Sequence, residues 1–179
     1  VSISPLDTAI DVETKLAAAC VPLLARTLPQ FRDGTLEFRP QLEVEATFCR
    51  RLEKEDGVLD FTAPAAVLAA RINGLFPWPA CSVELNGQIV KFGRADVADA
   101  GAVPSLGENL KHPGTVLASD DHGLLVSTGA GVLRVRQLQR PGGKMLAAAD
   151  FLRGFPVAAG TELASRPMPP LVAAAPFRK

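Results

Sequence analysis

The chain has 179 residues, enough for one or two domains with a real core, and its 19 basic and 19 acidic side chains cancel to a formal charge of zero. That balance gives no global field favouring nucleic acid. The three cysteines form no CxxC pair and no apolar run nears the roughly 20 residues that span a bilayer, which excludes a disulfide framework, a structural zinc site and a membrane helix and predicts reduced, mostly buried thiols in a cytoplasmic protein.

Val1 to Pro5 alternates and predicts a short strand. The start lacks an initiator Met and the basic and apolar regions of a signal peptide, so a fragment or a processed chain is expected. Asp7 and Thr8 offer caps, and Asp11 to Phe31 carries helical periodicity through Leu16, Cys20, Leu23, Leu24 and Leu28. Pro22 predicts a kink or a second helix, and Gly34 a stop. Such a strand and helix cannot bury their own apolar face and must pack on the rest of the chain or on a further domain. Leu36 to Gln41 reads as a linker, and the acid-rich run from Glu43 to Asp60 as a solvated face.

Thr62 is expected to cap a helix with Pro64 near its first turn, and Ala65 to Leu75 supplies an amphipathic stripe. Pro77 and Pro79 hold Trp78 in a stiff corner, which predicts a largely buried ring. Cys81 to Leu85 and Gln88 to Phe92 alternate on either side of Asn86-Gly87, the strongest short-range signal for a β-hairpin. Ala95 to Leu110 lacks periodicity and reads as a loop. Gly114 to Ser119, Leu124 to Thr128 and Val132 to Leu138 alternate between tight turns. Ala147 to Arg153 predicts a short helix, Phe155 to Leu163 an extended segment, and the Pro- and Ala-rich stretch from Ala164 a fraying tail. The fold class expected is α+β: a small antiparallel β-barrel of OB-like shape with flanking helices, preceded by a strand-helix remnant of a Rossmann-like domain.

Positive charge is concentrated locally. Arg134, Arg136, Arg140, Lys144 and Arg153 face one acid, Asp150, within residues 130–154, and strand parity sets Arg134, Arg136 and Arg140 opposite the inward side chains. This patch fits either phosphate contact, helped by the Gly142-Gly143 loop, or an ordinary solvated face. No aromatic residue interleaves with it, so structured double-stranded nucleic acid suits it better than unpaired bases. Nothing resembles an active site. His112 and His122 are isolated, no phosphate-cradling GxxxxGK[ST] loop occurs, and Glu53, Glu55, Asp56 and Asp60 lack a base at fixed spacing. No metal site and no cofactor site is expected.

The order of several short motifs resembles the C-terminal domain of the methionyl-tRNA formyltransferase family. They are Lys54 to Phe61, Arg71-Ile72-Asn73, Phe76-Pro77-Trp78-Pro79, the Asn86-Gly87 hairpin with Val90-Lys91, then Leu138 to Lys144, Met145 and Ala148 to Leu152. Ile3-Ser4-Pro5, Asp7-Thr8-Ala9, Lys15-Leu16-Ala17 and Pro40-Gln41 look like the end of that family's catalytic domain and its linker. Departures are Phe61 where Trp is usual, Phe48 where Tyr is usual, and Gly74. The resemblance implies residues 1–35 as the end of a formyltransferase domain, 36–45 as linker, 46–163 as the OB-like domain and 164–179 as a disordered tail. It also implies initiator tRNA and an N-terminal catalytic domain of the same polypeptide as partners, and no membrane. The co-substrate of the complete enzyme would be 10-formyltetrahydrofolate. The family's catalytic Asn, His and Asp have no counterpart here, so this chain alone is expected to be inactive. Arg140 and Lys144 match the family's basic tRNA-binding positions best. The alternatives are the C-terminal domain of a sugar or folate-linked formyltransferase, and a standalone barrel that contacts RNA or protein.

Overall fold

Capping chemistry fixes the first element. The computed structural model describes residues 1–99 and 112–177. Thr8 is extended and closes a capping box: its N–H donates to Asp11 Oδ2 at 2.9 Å, and the Asp11 N–H donates to Thr8 Oγ1 at 3.4 Å. Helix α1 then runs unbroken over Ala9–Arg32 with Pro22 and Pro29 inside it, where the sequence allowed two helices. The predicted strand at Val1–Pro5 is not formed. Among the described residues no strand lies beside it, and the chain turns at Ser4, whose carbonyl accepts the Asp7 N–H at 2.9 Å.

Among the described residues the strands and the other α-helices are β1 (Phe48–Cys49), α2 (Ala65–Leu75), β2 (Cys81–Leu85), β3 (Gln88–Phe92), β4 (Ala95–Val97), β5 (Val116–Asp120), β6 (Gly123–Ser127), β7 (Val132–Val135), β8 (Gln137–Gln139), β9 (Leu146–Ala147), α3 (Ala148–Gly154) and β10 (Val172–Ala173), with short 3-10 turns at Glu43–Glu45 and Lys54–Gly57. The Asn86-Gly87 turn has φ of 47° and 73°, and it pairs Leu85 with Gln88 and Cys81 with Phe92. The predicted loop from Ala95 begins instead as β4, which pairs with β7; residues 100–110 of that prediction lie outside the described residues.

The strands form two four-stranded antiparallel sheets, β2-β3-β8-β9 and β4-β7-β6-β5, with β1 and β10 as a separate pair. The sheets join where two strands bend. Gly93-Arg94 connects β3 to β4, and Arg136 connects β7 to β8. Hydrogen bonds continue through the bend: the Gly93 N–H donates to Gln137 O at 2.8 Å and the Arg136 N–H to Arg94 O at 2.7 Å. The backbone at Gly93 runs close to Met145: an added Cβ would lie 2.7 Å from its sulfur and the side chain would have to shift. The α+β class holds, but among the described residues the sheets do not close into one barrel.

Helix α2 buries Leu68 and Ile72 completely, against a core that includes Phe61, Phe92, Leu124 and Leu133. Its first N–H is satisfied by the Ala130 carbonyl at 2.9 Å, across the β6–β7 turn. The residue before the helix is Pro64, and Thr62 instead donates its hydroxyl to Asp60 at 2.7 Å, so the predicted Thr62 cap is not made.

Three further expectations are corrected. Trp78 is 55 % exposed, because Leu75, Ala80 and Cys81 take the inward positions around the corner. Cys20 and Cys49 are exposed; only Cys81 is buried, and burial pushes its thiol up to about 12. The segment beyond Ala164 does not fray over its described length. Ser165 Oγ accepts the Phe61 N–H at 2.9 Å, Arg166 donates its N–H to Leu59 O at 2.9 Å, and β10 pairs with β1.

Arg71 ties that strap to the acidic turn. Its guanidinium donates to Pro169 O at 3.2 Å and to Asp56 O at 3.2 and 2.8 Å. The Asp56 carboxylate is itself buried, takes a bidentate grip from Arg50 and accepts the Glu53 N–H at 2.8 Å. The Arg50 hydrogen bonds hold that carboxyl below its ordinary value.

Phe92→Ala should lower the unfolding free energy by about 3–5 kcal/mol, read from denaturant titration; a loss well under this range would mean that Phe92 is not central to the core. Asp56 has a depressed folded pKa, so its contribution is complete above the ordinary value of 3.8 and fades as the pH falls through the lower folded value. Asp56→Asn should therefore lower the thermal midpoint at neutral pH, and its gap to the parent should shrink in acid. A gap that stays constant would contradict the role.

Candidate nucleic-acid interface

Alternation along β3 sends Val90 and Phe92 into the core and Ile89 and Lys91 outward. The register of β3 with β8 sets Lys91 directly opposite Gln139, so both side chains share the outer face. The chain then turns at Arg140–Gly143, with the Gly143 N–H donating to Arg140 O at 3.0 Å and Gly142 at a φ of 71°. Gln139 Nε2 donates to Gly143 O at 2.6 Å and fastens the loop to its own strand. Ile89, Lys91, Gln139, Arg140, Pro141 and Gly142 line a groove of about 440 Å³.

The five predicted basic residues do not form one patch. Arg140 is exposed, with its guanidinium carbon 5.9 Å from the centre of the Phe155 ring. Phe155 is braced by Phe151, with ring centres 5.2 Å apart. This contact holds the guanidinium over an aromatic face, so the expectation that no aromatic residue accompanies the basic stretch is corrected: Phe151 and Phe155 do. Lys144 is exposed at the end of the same loop. Arg153 is exposed in the last turn of α3, two residues before Phe155, and pairs with Asp150 one turn back. The loop and the end of α3 therefore meet around one ring.

Arg136 sits at the bend between the sheets and is gripped by Asp96 through two hydrogen bonds of 2.8 and 2.7 Å, which raise its already high pKa. Arg134 is 7 % exposed. It lies opposite Asp96 and Leu125 on the outer side of the second sheet, its stem packed over Gly123, and its Nε has no hydrogen-bond partner among the described residues. Strand parity holds within β7. The bend at Arg136 then carries the chain into the other sheet, so Arg140 belongs to a different surface from Arg134. Lys91 is the basic residue that parity within the hairpin identifies and that the run 130–154 leaves out.

The remaining candidates have structural partners or none. Asp56 is held by Arg50, and Asp60 Oδ1 accepts from both the Thr62 N–H and hydroxyl. His112 and His122 are exposed and belong to separate turns. Among the described residues no cluster of His, Cys, Asp and Glu has a metal-binding arrangement, and no helix is long and apolar enough to cross a membrane. The arrangement of Lys91, Arg140, Lys144 and Arg153 is that of exposed cations along one edge, able to neutralise phosphates.

The family described as formyl transferase, C-terminal domain matches residues 51–156. A methionyl-tRNA formyltransferase of Ralstonia nicotianae is 36% identical over 167 residues, covering 93% of this chain and 49% of its own. One from Janthinobacterium sp. (strain Marseille) is 39% identical over 150 residues, covering 83% of this chain and 45% of its own. The chain thus spans about half the length of the curated relatives it matches. Among solved structures, HypX from Aquifex aeolicus in complex with tetrahydrofolic acid shares the fold at a TM-score of 0.55 and 18% identity, covering 82% of this chain and 27% of that one. A substituted form of HypX reaches a TM-score of 0.59 at 17% identity, over 85% of this chain and 27% of that one.

Proposed function

The chain belongs to the formyl transferase C-terminal domain family, and from that premise we propose that it is the tRNA-positioning part of a methionyl-tRNA formyltransferase. The observation that carries this reading is the basic edge formed by Arg140, Lys144, Arg153 and Lys91. Arg140 is already oriented by Phe155, so less freedom is lost when it meets a phosphate. Lys144 adds an exposed charge at the loop end. Arg153 exchanges Asp150 for a phosphate at little cost, since an exposed ion pair contributes little. Arg136, committed to Asp96, adds only to the local field, and Arg134 makes no direct contact. The two sheets joined at shared bends are read as an OB-like arrangement, with this edge at the outer side of one sheet.

In this reading the chemistry belongs to the other half of the complete polypeptide. There the formyl group passes from 10-formyltetrahydrofolate to the methionine amino group of initiator tRNA, and residues 1–179 alone do not catalyse it. Residues 1–35 close the catalytic half, 36–45 link, and the domain proper starts at 46, with its strap reaching to 177. The surface of α1 supports this division. Leu16, Val21, Leu23, Leu24, Leu28 and Phe31 are all exposed, an apolar face of the kind that another domain covers.

Titration of initiator tRNA by fluorescence anisotropy at several salt concentrations tests the reading. The parent should bind with a salt-dependent affinity. Arg140→Glu with Lys144→Glu should weaken binding and reduce the slope of log K against log salt by about 2, one for each phosphate that is no longer neutralised. Unchanged affinity and slope would overturn it.

A further inference from the structure

Helix α1 reaches the rest of the molecule through its first turn. It buries none of its own residues, whereas Thr8, its cap, is 2 % exposed. The side of α2 that it meets carries Ala66, Ala70 and Gly74, successive turns of small side chains. Grooves flank the contact. One of about 770 Å³ is lined by Ile3, Val12, Leu16, Ala70 and Gly74 among others, and one of about 470 Å³ by Pro5, Ala66 and Val97 among others. Interlocking side chains that would set a crossing angle are therefore sparse here.

Polar bonds take that role. Asn73 is 2 % exposed and uses both of its amide hydrogens. Nδ2 donates to Pro5 O at 2.9 Å and to Ala95 O at 2.8 Å, while Oδ1 accepts the Ala95 N–H at 2.9 Å. One side chain thus joins β4 to the segment that leads into α1. Beside it Arg94, in the bend between the sheets, donates from Nη2 to Asp11 Oδ2 at 2.8 Å. That oxygen also accepts the Thr8 N–H and hydroxyl, at 2.9 and 2.7 Å. Arg94 is therefore bonded into the capping box itself. The segment before the helix is stiffened in turn by Asp7, which accepts the Ser4 N–H at 2.7 Å and pairs with Lys15.

We propose that Asn73 and Arg94 are positioning residues that lock α1, and with it the catalytic half of the complete polypeptide, at one fixed angle to the tRNA-holding edge. This rests on the reading of residues 1–35 as the end of that half. The helix is about 36 Å long at 1.5 Å per residue, so a small rotation at its first turn displaces its far end by many times more than the turn itself. Neither residue lines the groove of the basic edge. They act through Pro5, Thr8 and Asp11.

Spin labels on the full 179-residue chain test this directly. Cys20 is exposed on α1 and takes one label; Glu84→Cys, at an exposed position of β2, takes the other, in a Cys49→Ser background. Cys81 is buried and stays unlabelled. The parent should give a single narrow distance distribution by pulsed electron spin resonance. Arg94→Ala should broaden it and Arg94→Lys should keep it narrow. Asn73→Ala combined with Arg94→Ala should abolish the single peak, and Arg94→Ala should leave the thermal midpoint of the domain where it was. A broad parent distribution, or a peak as narrow in the folded double variant as in the parent, would overturn the proposal. If the variants carrying Asn73→Ala do not fold, the Arg94→Ala distribution decides in the same way. These distances report the lock without any tRNA, so its failure is separable from failure of the tRNA reading, which the anisotropy titration detects.

Discussion

The structure depends on the burial of helix α2. Its apolar face, with Leu68 and Ile72 fully buried, covers the inner sides of β4 and β7 and reaches β2, so both sheets share one core. The same eleven residues carry two polar side chains that point out of that core to opposite ends of the chain. Arg71 reaches Pro169 in the C-terminal strap, and Asn73 reaches Pro5 ahead of α1. A single element thus fixes the sheets, the strap and the N-terminal helix relative to one another. Few alternatives satisfy all three demands, since Asn73 has its donors committed and Arg71 divides its guanidinium between Asp56 and Pro169.

The bend at Gly93-Arg94 and Arg136 is the second constraint, and it decides where charge is displayed. A straight strand through residues 132–140 would present its alternate arginines together. The bend instead leaves Arg134 on one sheet, uses Arg136 at the corner with Asp96, and gives Arg140 to the other sheet beside Lys91. Charge density in a stretch of sequence is therefore not charge density on a surface. Here the surviving edge is smaller than the sequence count and is fixed by contacts with Phe155 and Gly143.

Local rules carried much of the fold. The Asn86-Gly87 turn set the hairpin and its register, and the apolar stripe set both ends of α2. Asp7 and Thr8 were the cap candidates at the start of α1, and Thr8 is the cap. What remained illegible depends on distant parts of the chain. Trp78 is stiffened locally but excluded by better-placed neighbours, β4 exists because β7 pairs with it, and the proline-rich end is ordered by Phe61, Leu59 and Arg71. At the candidate site Arg140 and Lys144 were legible as exposed loop cations. The engagement of Arg136 by Asp96 was not, because the two are forty positions apart in sequence.

The central claim is that one narrow basic edge, and not the whole basic stretch, meets tRNA. Backbone amide NMR of the chain titrated with initiator tRNA tests it residue by residue. The account predicts perturbations concentrated at Lys91, at Gln139 through Lys144 and around Arg153, with Arg134 and Arg136 little changed. Perturbations centred on Arg134 and Arg136, or spread evenly over the surface, would contradict it.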